Sequence, residues 1–264
     1  MRRRSTLGML GDLASLTSVF EFLPLVEIIS CSNLNRHWNF TASVCPMAVI
    51  DTLGMAIPLD RLIHMISSNR RNVTILRMSV TRANMDALIL ELEKLMPEMT
   101  RLNHLSIFTA HDDGSVTFNF QALTDIDKHS LTKEDESGLK SLVLGCDPAI
   151  PSVRTFMSNH ARTLSTLAFL RGCHTAFKTE VELAEFLESQ CDLASVRCLH
   201  LGACSSSMDM DPLIALLLTQ CESLRYVQWT GAGASLDMMK SIMSKKPIEC
   251  AFEGVGFLSL FMGL

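Results

Sequence analysis

The sequence is poor in the residues that build irregular connections and aromatic clusters. Its 264 residues include 13 glycines, 8 prolines, 2 tryptophans and 1 tyrosine. Because glycine and proline mark turns and loops, their scarcity argues against long linkers. No apolar stretch reaches the ~18–20 residues needed to cross a bilayer, and the first residues lack the continuous apolar region of a signal peptide. We therefore expect neither a membrane span nor secretion.

The chain also lacks a large excess of either positive or negative charge. The chain has 23 lysines and arginines against 28 aspartates and glutamates, a net charge of -5. The basic residues are scattered, so nucleic acid is not expected as a partner. Catalytic motifs are also missing, because the glycine-containing loop at 231–236 lacks the third glycine of a dinucleotide site and no G-x-S-x-G is present. The sequence therefore predicts neither an enzyme nor a bound cofactor.

The nine cysteines include no C-x-x-C pair and no spacing typical of a metal site. Most lie within apolar runs, as Cys198 and Cys204 do, which is typical of buried free thiols in a reducing compartment. We therefore expect no metal ion and a cytoplasmic or nuclear location. The arginines of the first segment, MRRRSTLGML, leave organellar targeting as the alternative.

What the sequence does contain is a repeat. A run of the form apolar-x-x-apolar-x-apolar begins at Val73 and recurs along the chain. The clear copies are VTILRM (73–78), LNHLSI (102–107), LKSLVL (139–144), LSTLAF (164–169), VRCLHL (196–201) and LRYVQW (224–229). A weaker copy, VCPMAV, begins at Val44. Starts of neighbouring runs lie roughly 25 to 37 residues apart, a period typical of leucine-rich repeats.

Segments with helical periodicity lie between the runs. Apolar residues recur at i, i+3 and i+4 in 85–96, 152–161, 180–189 and 211–220. Asn84, Thr179 and Asp211 precede three of these segments and are predicted to cap them. Strand, turn and helix in repeated succession predict an α/β solenoid over 44–264, with about seven irregular repeats, parallel strands on the concave face and helices on the convex face.

The repeats depart from the regular pattern in two ways. The ninth position, usually Asn or Cys, matches only at Cys204, which is similar to irregular leucine-rich proteins of the intracellular eukaryotic type. The widest interval is explained by an insertion at 111–137 that ends in a charged loop. At the end of the chain, the apolar segment from Ala251 is expected to form a core cap or an edge that faces a partner.

The first 43 residues do not share the repeat and are too few to form a core of their own. They resemble an F-box: Val19-Phe20, Leu23-Pro24-Leu25, Glu27-Ile28 and Arg36-His37-Trp38 follow that family's order of elements. An F-box before leucine-rich repeats is similar to the substrate receptors of SCF-type cullin-RING ubiquitin ligases. In that family the F-box binds the adaptor subunit, the repeats bind the protein to be ubiquitinated, and partner enzymes supply the chemistry.

The resemblance implies two sets of site residues. The adaptor-binding set would be Leu16, Val19, Phe20, Leu23, Pro24, Leu25, Ile28, Leu34 and Trp38. Residues that alternate with the leucines of the strands would face the protein substrate on the concave side. This substrate-binding set is Arg77, His104, Phe108, His200, Tyr226 and Gln228.

Two alternatives remain open. Phe20 and Trp38 would instead cap the repeat array if the first segment only shields the first repeat, as terminal units of solenoids do. In that case the chain is a leucine-rich-repeat scaffold, or a subunit of a stable complex, with no role in ubiquitin ligation.

Overall fold

The computed structural model describes residues 48–111, 115, 116, 123, 126, 138–148, 150–160, 163–170, 180–190, 194–202, 215, 219, 220, 222–230 and 249–253. Eight strands lie in these ranges. They are β1 (Val49–Asp51), β2 (Ile75–Thr81), β3 (His104–Ala110), β4 (Ser141–Gly145), β5 (Thr166–Phe169), β6 (Cys198–Leu201), β7 (Tyr226–Thr230) and β8 (Glu249–Glu253).

Four α-helices have bounds within the described ranges: α1 (Leu59–Asn69), α2 (Met85–Leu95), α3 (Pro151–His160) and α4 (Glu180–Gln190). Short 3-10 turns at Arg82–Asn84 and Met96–Glu98 flank α2. Neighbouring helices are joined by side-chain hydrogen bonds. Ser152 of α3 donates to Asp86 of α2 at 2.6 Å, and Asn159 of α3 donates to Glu93 of α2 at 3.1 Å.

All eight strands form one parallel sheet in which strand order equals chain order, from β1 to β8. One backbone hydrogen bond recurs at the second residue of each run. The N–H of Asn103 donates to the carbonyl of Thr74, that of Lys140 donates to Asn103, and that of Ser165 donates to Lys140, at 2.8–2.9 Å. In the same way the N–H of Arg197 donates to the carbonyl of Ser165 and that of Arg225 donates to Arg197, both at 2.8 Å. Each strand is thus held in register by the strand that precedes it in the sequence.

The predicted apolar positions build the core. The first, fourth and sixth residues of the six runs are buried in one cluster, the main core, wherever the structure describes their side chains. Its central leucines are Leu76, Leu105, Leu142, Leu167 and Leu199, which lie opposite one another in adjacent strands. Helix residues such as Leu88 and Phe156 complete the cluster. Alternate positions are therefore directed to the helices, and the others lie on the opposite face of the sheet.

The α/β prediction, with parallel strands and intervening helices, is confirmed, and so are the helices expected near 85–96, 152–161 and 180–189. Helix α1 was not predicted. Its apolar residues Leu59, Leu62 and Ile66 have helical spacing and the last two are buried, so this helix was open to prediction from the sequence. Asn84 directly precedes α2 as predicted, but its side chain makes no capping hydrogen bond. A 3-10 turn leads into the helix instead. Thr179 and Asp211 lie outside the described residues.

Both ends of the repeat differ from expectation. Val49 pairs with Ile75, the third residue of its run, so the first run is shifted by three residues from the predicted VCPMAV. The eighth strand, Glu249–Glu253, was missed. Cys250 pairs with Val227 of β7 and so takes the fourth position of the run, and the sequence 247–253 contains no leucine. Of the predicted helix at 211–220, only Ala215, Thr219 and Gln220 are described, and these are helical.

Leu142→Ala tests the main core. Leu142 is fully buried, so we expect the free energy of unfolding to fall by about 2–5 kcal/mol from lost transfer energy and a cavity. The control is Leu90→Ala on α2, where the side chain is 58% exposed and the change should stay within ~0.5 kcal/mol. Urea unfolding followed by circular dichroism measures both. Equal losses in the two variants would contradict this account of the core.

Candidate functional site

The face of the sheet opposite the helices, the far face, carries the predicted substrate-binding residues. Pairing places its side chains in rows across the strands. The first row is Val49, Ile75, His104, Ser141, Thr166, Cys198 and Tyr226. The second row is Asp51, Arg77, Ser106, Val143, Ala168, His200 and Gln228. The third row contains Ser79, Phe108 and Gly145.

All six residues of the predicted substrate-binding set lie on the far face, as the alternation indicates. The structure differs in how accessible they are. Five are buried, namely His104, Phe108, His200, Tyr226 and Gln228, and the Arg77 side chain retains 17% exposure. The expected open surface is therefore closed around Phe108, where side chains from outside the strands, Leu123 and Ile126 among them, pack against it. A role in substrate binding stays a prediction.

One end of the far face is charged and polar. Asp51 and Arg77, neighbours on β1 and β2, form an ion pair with Oδ2 and Nη1 3.3 Å apart. The backbone N–H of Leu53 donates to the other Asp51 oxygen at 3.1 Å. On β3, His104 Nε2 lies 2.8 Å from the hydroxyl of Ser106. Burial, and secondarily the positive charge of Arg77, lowers the pKa of His104 from 6.5 to about 3. The ring is thus neutral at physiological pH.

The other end holds a second buried polar group. The Oε1 atom of Gln228 lies 2.7 Å from the Tyr226 hydroxyl and 2.9 Å from Nδ1 of His200. A carbonyl oxygen only accepts, so both neighbours donate to it and the His200 proton resides on Nδ1. Gly202 follows β6 at the same end, where a Cβ would lie 3.0 Å from Nε2 of His200. These contacts fix the imidazole ring and leave a polar cluster rather than an open pocket.

The buried thiols are not suited to chemistry. Burial raises the pKa of Cys146 and of Cys198 to about 12. Both are buried and neither forms a disulfide bond, as the sequence predicted for cysteines in apolar runs. Across the described ranges no three His, Cys, Asp or Glu side chains are grouped in a way that could hold a metal ion. The helices of that same part of the chain include none long and apolar enough to span a membrane.

The centre of the far face is apolar and covered. Phe108, Val143, Ala168 and Leu170 form a buried cluster, the far-face cluster, together with Leu123 and Ile126. Leu53 and Val116 pack against it at lower burial. Leu123 and Ile126 belong to the predicted insertion at 111–137, so part of this insertion lies against the sheet.

Gly145 makes room for the ring of Phe108. A Cβ at position 145 would lie only 2.1 Å from Cδ1 of that ring, far inside van der Waals contact. Phe108 and Gly145 are direct neighbours on β3 and β4, so the aromatic ring lies across the adjacent strand. Sequence reasoning identified Phe108 but missed Gly145, Leu123 and Ile126. In the sequence, Leu123 and Ile126 show only the i, i+3 spacing of a helix. Two apolar residues are too few to predict which surface they contact.

The nine residues of the predicted adaptor-binding set all lie outside the described residues, as does the whole segment 1–43. Their role stays a prediction. No known protein-family model matches the chain. A search of curated proteins likewise found no match.

Gly145→Ala should destabilise the protein by about 1–3 kcal/mol, because the added methyl group must displace the Phe108 ring. In a Phe108→Leu background the cost of Gly145→Ala should fall clearly below that value. Gly54→Ala is the control, since nothing lies within 4 Å of its added Cβ although φ is +72°. Its cost should be equal in both backgrounds. Urea denaturation of the single and double variants measures the coupling free energy between positions 108 and 145. An equal cost of Gly145→Ala in the wild-type and Phe108→Leu backgrounds would refute the contact.

His104 should make stability depend on pH. The pKa of His104 is lower in the folded chain than in the unfolded chain. The contribution of the neutral ring to the free energy of unfolding is therefore fully present above about pH 6.5. It is lost as the pH falls towards 3, because the unfolded chain takes up a proton that the folded chain does not. The loss between pH 7 and pH 5 is about 2 kcal/mol. Unfolding of the wild type and His104→Gln at both pH values measures the difference. His64→Gln, at an exposed position of α1, is the control and should retain the wild-type dependence.

Proposed function

We propose that this chain is a non-catalytic substrate receptor of an SCF-type cullin-RING ubiquitin ligase. The observation that carries the proposal is the order of its parts. Residues 19–38 follow the sequence pattern of an F-box, and a sheet of leucine runs in chain order comes after them. In this function the first segment recruits an adaptor, the sheet domain recruits a protein, and the partner enzymes perform ubiquitin transfer in the cytoplasm or nucleus.

The second domain, 44–264, is proposed to be an irregular leucine-rich-repeat solenoid. Two observations support this. Each strand pairs only with its sequence neighbours in the order β1 to β8, and the apolar positions of successive runs stack in one core. In a leucine-rich-repeat solenoid the far face would be the concave side and the helices the convex side. Leu123 and Ile126 of the insertion then lie on the concave side.

The adaptor half of the proposal rests on the apolar residues of segment 1–43. A short helical array of this size buries its apolar face only against another surface. Leu23, Pro24, Leu25 and Trp38 supply large apolar contacts of the kind that dominate binding energy in protein interfaces. The F-box resemblance names the other surface as the SCF adaptor.

A second candidate function is that of a scaffold within a stable complex, without an adaptor. The buried state of the far face favours it, since five of the six predicted substrate contacts are withdrawn from solvent. A scaffold needs no open concave surface. The two functions differ in whether segment 1–43 binds an SCF adaptor.

Binding of the purified chain to the SCF adaptor separates the two functions. The wild type should bind, and Leu23→Asp should weaken binding by at least roughly 100-fold, about 2.7 kcal/mol, because a carboxylate would enter an apolar interface. Trp38→Ala should weaken binding in the same direction. Isothermal titration calorimetry measures these affinities, and circular dichroism checks that each variant is folded.

The matched control is Leu90→Asp, the same change at the exposed leucine of α2, which should bind the adaptor like the wild type. A folded wild-type chain that does not bind the adaptor would refute the receptor function. The scaffold would then be the better interpretation.

A further inference from the structure

Basic residues are concentrated at the end of the sheet where the strands begin. In the described residues just before β2 to β7, basic side chains outnumber acidic ones, and the acidic ones there are Glu98 and Glu222. Arg70 is bound to Glu98, with Nε and Oε2 2.7 Å apart. The other basic residues form a surface that we call the basic edge: Arg71, Arg101, Lys140, Arg197 and Arg225.

The backbone ladder brings three of these residues into line. Lys140, Arg197 and Arg225 are each the second residue of a leucine run. The N–H of Arg225 donates to the carbonyl of Arg197, that of Arg197 donates to Ser165, and that of Ser165 donates to Lys140, all at 2.8 Å. Residues that are far apart in the sequence therefore lie in one row across the sheet.

Arg71 and Arg101 extend the row towards β2. Each is the third residue of a turn that leads into its strand, 69–72 before β2 and 99–102 before β3, and each turn is closed by a backbone hydrogen bond of 2.8 Å or 3.0 Å. Neighbouring strands lie ~4.8 Å apart, so the basic edge spans roughly 24 Å from β2 to β7.

The long side chains of this edge reach solvent, whereas short ones bond back to the sheet. The four arginines of the basic edge are exposed, and Lys140 is half-buried. The hydroxyl of Ser165, which has the same position in its run, donates to the carbonyl of Lys140 at 3.3 Å. In the same way Thr74 donates to the carbonyl of Ala48 at 3.0 Å. The edge thus presents cationic side chains to solvent.

This arrangement opposes both local stability and the overall composition. Arg197 and Arg225 are direct neighbours on adjacent strands, and like charges in this position are destabilising. The whole chain has a net charge of -5, so a row of positive charge does not follow from its composition. A row that is formed against both effects indicates a surface for a negatively charged molecule.

We propose that the basic edge binds an extended acidic segment of a partner protein. The guanidinium group binds a carboxylate through two parallel hydrogen bonds, so a row of arginines suits a segment that carries several aspartates or glutamates. At ~3.3 Å per residue, about seven residues of extended chain span the edge. The basic edge is separate from the far face, and this inference does not depend on the receptor function.

A protein segment is a better partner for this edge than nucleic acid. Binding of nucleic acid depends on neutralising many phosphates along a continuous polyanion. The basic edge is short, and the net negative charge of the chain repels a polyanion that extends beyond it. A short acidic segment gains the local attraction without this repulsion.

A fluorescein-labelled peptide of about eight glutamates, matched in length to the edge, is the probe. It is titrated with the full chain at low salt, and fluorescence anisotropy is measured. The wild type should bind the peptide, and Arg197→Glu/Arg225→Glu should weaken binding by about tenfold or more, because two attractive contacts become repulsive. Raising the salt from about 0.01 M to about 0.15 M should weaken wild-type binding, because the charges are then screened.

The matched control is Arg61→Glu/Arg82→Glu, which makes the same change in net charge at exposed arginines on α1 and directly after β2. It should bind the peptide like the wild type. A peptide of glutamines of equal length should not bind. Arg225→Gln should weaken binding without lowering the free energy of unfolding, because it removes a like-charge contact. A purely structural role of this side chain would lower it.

No binding by the folded wild type would overturn the proposal, as would equal losses in the two double variants. Tighter binding of single-stranded DNA of the same charge, or of vesicles that contain anionic lipid, would overturn the assignment to an acidic protein segment. If Arg197→Glu/Arg225→Glu does not fold, Arg101→Glu decides, with a smaller loss expected in the same direction. Adaptor binding does not enter this experiment, so failure of the receptor function and failure of this inference are distinguishable.

Discussion

The stacking of each leucine run on the run before it is the constraint on which the described structure depends. Asn103 donates its N–H to Thr74, and Lys140 donates to Asn103, so adjacent strands are aligned residue by residue. This alignment places Leu76, Leu105 and Leu142 side by side in the main core. Because a parallel strand alternates its side chains, the same alignment also fixes the rows of the far face.

The far face combines two environments that are usually kept apart. Its ends contain the Asp51–Arg77 ion pair and the His200–Gln228 hydrogen bond, and its centre is apolar. Buried polar groups are costly unless they are hydrogen-bonded, so these pairs stabilise the face only while their geometry is maintained. The apolar centre gains stability from any surface that excludes water from it. The turn with Leu123 and Ile126 supplies such a surface from within the chain.

This arrangement gives the two halves of the proposed function different requirements. In the proposed receptor, recruitment of an adaptor would depend on the apolar residues between Leu16 and Trp38, which precede the sheet in the chain. Recruitment of a substrate through the far face would need accessible side chains, whereas Phe108 is buried there together with Leu123 and Ile126. A scaffold has no such requirement.

The sequence by itself determined the repeating core. The spacing of residues such as Leu102, Leu105 and Ile107 indicates a strand with one buried face. This is a local property of the backbone, so each run predicts its own strand independently of the others. The pattern missed β8, where Cys250 takes the place of a leucine. It also placed the first run three residues too early, because Val44, Met47 and Val49 fit the spacing, whereas the structure buries Ile50 at the fourth position and leaves Val49 exposed. Only the tertiary structure decided that the far face is covered at Phe108. What covers a sheet depends on contacts between residues that are distant in the sequence, such as those that bring Ile126 into the far-face cluster, and a periodic pattern carries no information about them.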